Sequence, residues 1–328
     1  MQEKLSHLLT NEEKSSIMEK TFTSQRRMES NFDNKKYLHL LTEELMERLN
    51  KTSGKLYVEI NGKLLKDDFA TRIFSGYDGE NKRKLIAEIK QDLEILVCIN
   101  AKHIIENTPM TKKGIPCIQH IELTLKRIET AAWIKPQVVI THINIEEMYD
   151  LIFSFEKKFQ KKGYKVRENY LKKGFPTSKN LLLSENGFGN DDHIPIMKKI
   201  AFVTGIGTES GKLDTCIGQI YRDHEIGLNS SFCMLQTLPL SELSSEHPIN
   251  QAWLKKRENE ILTQDDFWET VEDSSQESFR IMKDLLDDQL EEDNLIRTYK
   301  KVSDMIICPT LSCIADLSKA DALAQQEL

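Results

Sequence analysis

Between residues 56 and 204 the chain switches repeatedly between two hydrophobic periods, and this alternation restricts its possible folds more than any other feature. Short runs rich in Val, Ile and Leu at 56–60, 94–99, 137–141, 164–167, 180–183 and 199–204 read as strands, because branched side chains suit an extended, buried backbone. Helical spacing fills several of the gaps, at 81–92, 118–130 and 145–162. Strand and helix in alternation build βαβ units, so the expected fold is α/β, with a doubly wound, mostly parallel sheet. Ligands of such sheets sit beyond the carboxyl ends of the strands. The loops to carry function are therefore 61–78, 100–103, 141–144, 174–177, 185–190 and 205–211.

The flanks differ. Residues 1–31 are polar and read as an arm, followed by a helix over 33–49 whose apolar face is Tyr37, Leu38, Leu41, Leu45 and Leu49. Net charge is −7, but residues 258–293 carry fourteen Asp and Glu against only Arg280 and Lys283. That segment accounts for −12 and leaves the remainder at +5, a sign that suits a phosphate-bearing ligand. The expected organisation is an N-terminal helical arm (1–54), a Rossmann-like region (55–198), a β-loop-α unit of the same core (199–257) and an acidic helical tail (258–328). In the tail, Phe279, Met282, Leu285, Leu286 and Leu290 can form an apolar stripe. It would either dock on the positive body or bind a basic protein partner.

Several function classes are disfavoured. No apolar run exceeds about five residues, as at Ile95 to Ile99, against the roughly 20 of a transmembrane helix. The opening residues lack the apolar segment of a signal peptide, so the sequence reads as the whole mature chain. No basic stripe with interleaved aromatics marks a nucleic-acid surface. Cys98, Cys117, Cys216, Cys233, Cys308 and Cys313 show no CxxC spacing and read as reduced core residues. A cytoplasmic, reducing compartment is expected; a protein translocated into a host cytosol would share these features.

The strongest local signal runs from Lys199 to Thr215, where a buried-strand pattern meets a small-residue turn, a lysine and a helix. Gly205, Gly207, Thr208, Ser210 and Gly211 would let backbone N–H groups curl toward an anion, the helix N-terminus would face it, and Lys212 would reach a terminal phosphate. Five residues separate Gly205 from Gly211 instead of the usual four, and the segment is similar to the extended loop of dethiobiotin synthetase and related P-loop families. In those families a Ser or Thr after the lysine holds Mg²⁺. Leu213 stands there, and Thr215 lies two residues further along the helix. Two other readings stay open: a glycine turn that only permits close packing, with Lys212 solvated, and a nicotinamide-type turn, in which Ser210 would replace the third glycine.

A longer string of motifs points to one family. Residues 55–63 (KLYVEINGK), 70–72 (ATR), 98–102 (CINAK), 138–141 (VVIT), 173–177 (KGFPT), 184–190 (SENGFGN), 210–212 (SGK) and 247–250 (HPIN) occur in order. Together they resemble the bacterial family known as domain of unknown function 1846, over about 55–257. The resemblance implies an α/β fold of Rossmann-like units and no established reaction. Family members continue into a second half beyond the His-Pro motif, and Gln236 stands where they tend to carry an acid.

The remaining candidates are Glu59, Lys63, Asp67, Asp68 and Arg72 after the first strand, and Asn100 and Lys102 after the second. His142 is a candidate acid or base, 187–193 a candidate lid or metal site, and His247 a candidate phosphate contact. The expected function is binding of ATP, another nucleotide or a phosphorylated small molecule, with Arg72, Asn100 and Lys102 facing its non-phosphate part. Phosphoryl transfer or ATP-assisted ligation is the reaction class, with Mg²⁺ short of its usual ligands. The alternative is a non-catalytic interaction protein that uses the acidic tail.

Overall fold

The computed structural model of the chain describes residues 30–109, 114–207, 209–260 and 271–328. The arm expected over 1–31 falls almost wholly outside them, as does Thr208. Helix α1 (Asn34–Asn50) starts at Asp33, whose carboxylate accepts the backbone N–H groups of Lys35 and Lys36. It buries Tyr37, Leu41, Leu45 and Leu49, the face its spacing predicts.

The chain continues through β1 (Leu56–Ile60), α2 (Ala70–Ile73), α3 (Asn81–Ile89), β2 (Leu93–Asn100), α4 (Ala101–Glu106), α5 (Cys117–Ala132), β3 (Gln137–Ile143), α6 (Ile145–Lys161) and β4 (Val166–Tyr170). It then forms α7 (Lys179–Leu182), a 3-10 turn (Phe188–Asn190), β5 (Ile200–Ile206), α8 (Lys212–Glu225), β6 (Ser231–Leu235), α9 (Pro248–Glu260) and α10 (Val271–Leu286). Last come α11 (Leu295–Thr298), α12 (Val302–Met305), β7 (Ile306–Ile307) and α13 (Leu317–Glu327).

Among the described residues seven strands form one sheet in the order β4-β3-β2-β5-β1-β6-β7, and every pairing in it is parallel. This is the doubly wound α/β fold. β1 and β6 are buried at all five positions, as strands covered by helices on both faces must be. All six cysteines are buried and free.

Two strand assignments need correction. Residues 180–183 do not form a strand; α7 occupies them, burying Leu182 while Leu181 stays 43% exposed. An apolar triplet covered on one side only has no place inside a two-faced sheet. The strand β6, reading Ser-Phe-Cys-Met-Leu, escapes a search for β-branched residues because it has none.

The acidic region is tied to the body. Ile281, Met282, Leu285, Leu286 and Leu290 are all buried, so the apolar stripe docks on the chain itself. Asn294 Nδ2 donates to Ser230 O at 2.9 Å, Tyr299 Oη donates to Phe232 O at 2.7 Å, and β7 extends the sheet beyond β6.

Candidate functional site at the carboxyl edge of the sheet

From β2 the chain moves outward to β3, whereas from β5 it crosses β1 to reach β6. Right-handed crossovers in opposite directions place the connecting helices on opposite faces, which opens a crevice between the carboxyl ends of β2 and β5. Asn100 closes β2 there. Its Oδ1 accepts Lys102 N at 2.9 Å and caps α4, while its Nδ2 donates to Glu209 O at 3.1 Å and meets His142 Nδ1 at 3.2 Å. With the amide donating, Nδ1 is the acceptor and the ring proton sits on Nε2. His142 holds a left-handed φ of 56°, between Ile140 and Ile143 where the β3–β4 register shifts. Burial keeps its imidazole below the ordinary histidine value, partly offset by Asp214.

The loop after β5 is tightly wound. Gly207, Glu209 and Gly211 have φ of 84°, 46° and 72°. A side chain at Gly205 would overlap Ser210 Oγ, and a Cβ on Gly211 would lie 2.7 Å from Thr141 Cβ. Thr141 Oγ1 donates to Ser210 O at 2.9 Å. Gly211 is the N-cap of α8 and supplies no side-chain cap, so among the described residues the first N–H groups of that helix have no capping side chain.

Lys212 does not remain solvated. Its Nζ donates to Ile60 O at 3.0 Å and to Asn61 Oδ1 at 3.1 Å, and pairs with Glu59 Oε1 at 3.1 Å. It therefore joins the loop after β5 to the end of β1. Asn61 in turn donates through Nδ2 to Gln236 Oε1 at 3.2 Å, so Gln236 occupies a structural amide pair.

Beneath the α8 N-terminus lies a buried ionic group that the motifs do not announce. Lys172 Nζ meets Asp191 Oδ2 at 2.7 Å and Asp214 Oδ2 at 3.0 Å, with side-chain exposures of 3%, 0% and 6%. Two carboxylates share one ammonium. Burial, opposed by Lys172 and reinforced by Asp214, pushes Asp191 up to about 7. In sequence Lys172 directly precedes the 173–177 motif, Asp191 lies within the 187–193 segment, and Asp214 follows Lys212 by two residues.

The other candidates scatter. Lys102 is exposed and contributes its backbone N–H. Arg72 pairs with Glu327 of α13 at 2.7 Å and stacks on Phe69. Thr215 is wholly buried, accepting from Asn169 Nδ2 at 3.1 Å and from Cys98 Sγ at 3.4 Å. His247 lies 3.5 Å from Asp321 of α13. Among the described residues no cluster of three or more His, Cys, Asp or Glu could hold a metal. Glu209 lies in the loop itself, and Glu59 and Asp214 beside it are each paired with a lysine, so the carboxylates here do not make the open set of hard oxygens that Mg²⁺ wants.

The family model "Domain of unknown function DUF1846, N-terminal" matches residues 30–328, taking in the acidic region beyond the 55–257 span of the motifs. The chain is 36% identical over 222 residues to the UPF0371 protein SpyM50764 of Streptococcus pyogenes serotype M5, covering 68% of this chain and 44% of that protein. The UPF0371 protein SUB1165 of Streptococcus uberis is 35% identical over the same length and shares. The chain thus spans less than half the length of these relatives. With the parallel sheet and the motif string both in place, the chain belongs to the DUF1846 family.

Proposed function

We propose that the chain binds a phosphate-bearing small molecule, with nucleotides the first candidates, at the crevice between β2 and β5. The observation that carries this reading is the uncapped N-terminus of the fourteen-residue helix α8, which opens on that crevice. Such an end offers N–H donors and a positive dipole to an anion. Lys212, the first residue of the helix, adds an ammonium within the same edge. Asn100 and His142 flank the anion on the β2 and β3 sides.

Binding without turnover is a second reading, favoured by one observation. Lys212 is held by Glu59 and two oxygens at the end of β1, and Leu213 stands where a magnesium-holding hydroxyl would be needed. Phosphoryl transfer would require the lysine to exchange these partners for phosphate oxygens.

Calorimetric titration with ATP and GTP, with and without Mg²⁺, tests both. Saturable binding independent of Mg²⁺ is expected. It should weaken at least tenfold, by roughly 1.4 kcal/mol or more, in the neutral pair Glu59→Gln/Lys212→Met. Binding of equal strength in that variant, or no binding by a folded wild type, would sink the reading.

A further inference from the structure

The edge of the sheet opposite the crevice carries opposite charges on its two halves. The starts of β2, β5, β1 and β6 lie level there: Ile200 N donates to Asp92 O at 2.9 Å, Leu56 N to Lys199 O at 2.8 Å and Ser231 N to Lys55 O at 2.8 Å. Lys198 and Lys199, both exposed, lead into β5. On the far side of β1, the exposed turn Glu291, Glu292 and Asp293 is pinned beside the start of β6. Asn229 Nδ2 donates there to Asp293 Oδ1 at 3.1 Å, and Asn294 Nδ2 to Ser230 O at 2.9 Å. One strand separates the two groups, which sets them roughly 10 Å apart.

Among the described residues none of these five side chains is in an ion pair. The other charges at this end leave both halves standing. Exposed Lys90 and Asp92 before β2 carry opposite signs. Lys135 is 3.9 Å from Glu129, and over the dividing strand Lys55 and Lys51 are held by Asp223 at 2.8 Å and by Glu47 at 2.6 Å. Exposed Lys161 and Lys165 add to the basic half, and Glu225 adds to the acidic half. Arg297, which donates to Leu290 O at 3.1 Å, takes one charge from the acidic half. Lys300 and Lys301 lie further out toward β7, where Asp304 accepts both their backbone N–H groups. Two large apolar side chains accompany the charges: Met197, 83% exposed, precedes the lysines, and Ile226, 61% exposed, follows α8 three residues before Asn229.

We propose that this end of the sheet is a self-complementary interface through which two copies of the chain pair about a twofold axis passing by the start of β1. A twofold rotation there brings the basic half of each copy onto the acidic half of the other, so every attractive contact is made twice. Lys198 and Lys199 of one copy face Glu291, Glu292 and Asp293 of its partner, with Met197 and Ile226 enclosed between them. The carboxyl edges point away from the contact, so both crevices stay open and the proposal does not depend on what they bind.

Sedimentation velocity of the full chain, from micromolar to near-millimolar concentration, tests it. The wild type should dimerise at low salt and shift toward monomer at about 0.5 M salt, where surface charges are screened. Lys198→Glu/Lys199→Glu and Glu291→Lys/Glu292→Lys change only exposed side chains and should keep the wild-type melting temperature. Each should weaken dimerisation roughly tenfold or more, because each turns both attractive contacts into repulsions. An equimolar mixture of the two variants should recover the dimer, since both contacts are then complementary again. A wild type that stays monomeric at low salt would overturn the proposal. So would a dimer that both variants retain, or a mixture that stays monomeric.

Discussion

Lys212 of α8 and Glu59 of β1 meet at 3.1 Å across the carboxyl edge, with side-chain exposures of 21% and 7%. The pair links two elements far apart in sequence, and its removal from one side is expected to be costly. Lys212→Ala strands a buried carboxylate whose second oxygen already lacks a hydrogen bond, and should destabilise by about 2–4 kcal/mol. The double variant Glu59→Gln/Lys212→Met should recover at least half of that loss, measured by urea unfolding. Equal losses in both would show that the pair does not bear on stability.

Two glycines with left-handed φ, one in the loop after β5 and one after the C-terminus of α8, give a graded expectation. Gly227 has φ of 79° with nothing within 4 Å of an added Cβ, so Gly227→Ala should cost only the left-handed strain, about 1–2 kcal/mol. Gly211 has φ of 72° and would also press on Thr141 at 2.7 Å. Gly211→Ala should therefore lose roughly 1–3 kcal/mol more than Gly227→Ala, because overpacking adds to the strain. Thermal unfolding of the two variants side by side settles the order.

Asp191 sets a pH dependence. Its folded pKa, pushed up to about 7, exceeds the ordinary 3.8, so the folded state binds more protons between these values. The stability it contributes is complete below about 4 and is lost as pH rises through about 7. Wild type should lose stability relative to Asp191→Asn between pH 5 and pH 8. Parallel stability curves for the two proteins over that range would refute the assignment.

Docking of the acidic region can be tested through Leu286, which is 1% exposed. Leu286→Ala should destabilise the whole chain by about 2–5 kcal/mol in a single transition. Exposed Asp288, on the outer side of the segment, should tolerate Asp288→Ala within about 0.5 kcal/mol, losing only a surface pair with Lys179.

Period and branching made much of this fold legible. β1, β2, β3 and β5 announce themselves by branched residues, and α1 by its three-and-four spacing. β6 does not, since burial on both faces can be met by Ser, Phe, Cys, Met and Leu once neighbours supply the register. The triplet Leu181-Leu182-Leu183 misleads for the opposite reason: apolar content without β-branched residues or two-sided cover settles as a turn of helix.

At the site, the glycine turn before Lys212 was readable because left-handed φ leaves a mark in composition. The partners of Lys212 were not, because Glu59 and Asn61 approach it through the β1–β5 pairing, about 150 residues away in sequence. Lys172 was invisible for the same reason. A lone lysine in a sequence carries no sign of being buried, and only the three-dimensional neighbours decide which ones are.

The position of β5 also fixes an order of assembly. β1 and β2 never touch; β5 lies between them and pairs with both. During synthesis the first four strands therefore emerge as two parts, β1 alone and β2-β3-β4 together, with their apolar edges open until residues 200–206 arrive to join them. Closing so distant a contact is slow, and the waiting edges are sticky. A ribosome paused before that strand would hold a chain in need of a chaperone, and one released just after β6 would have its sheet complete except for the two-residue strand at the rim.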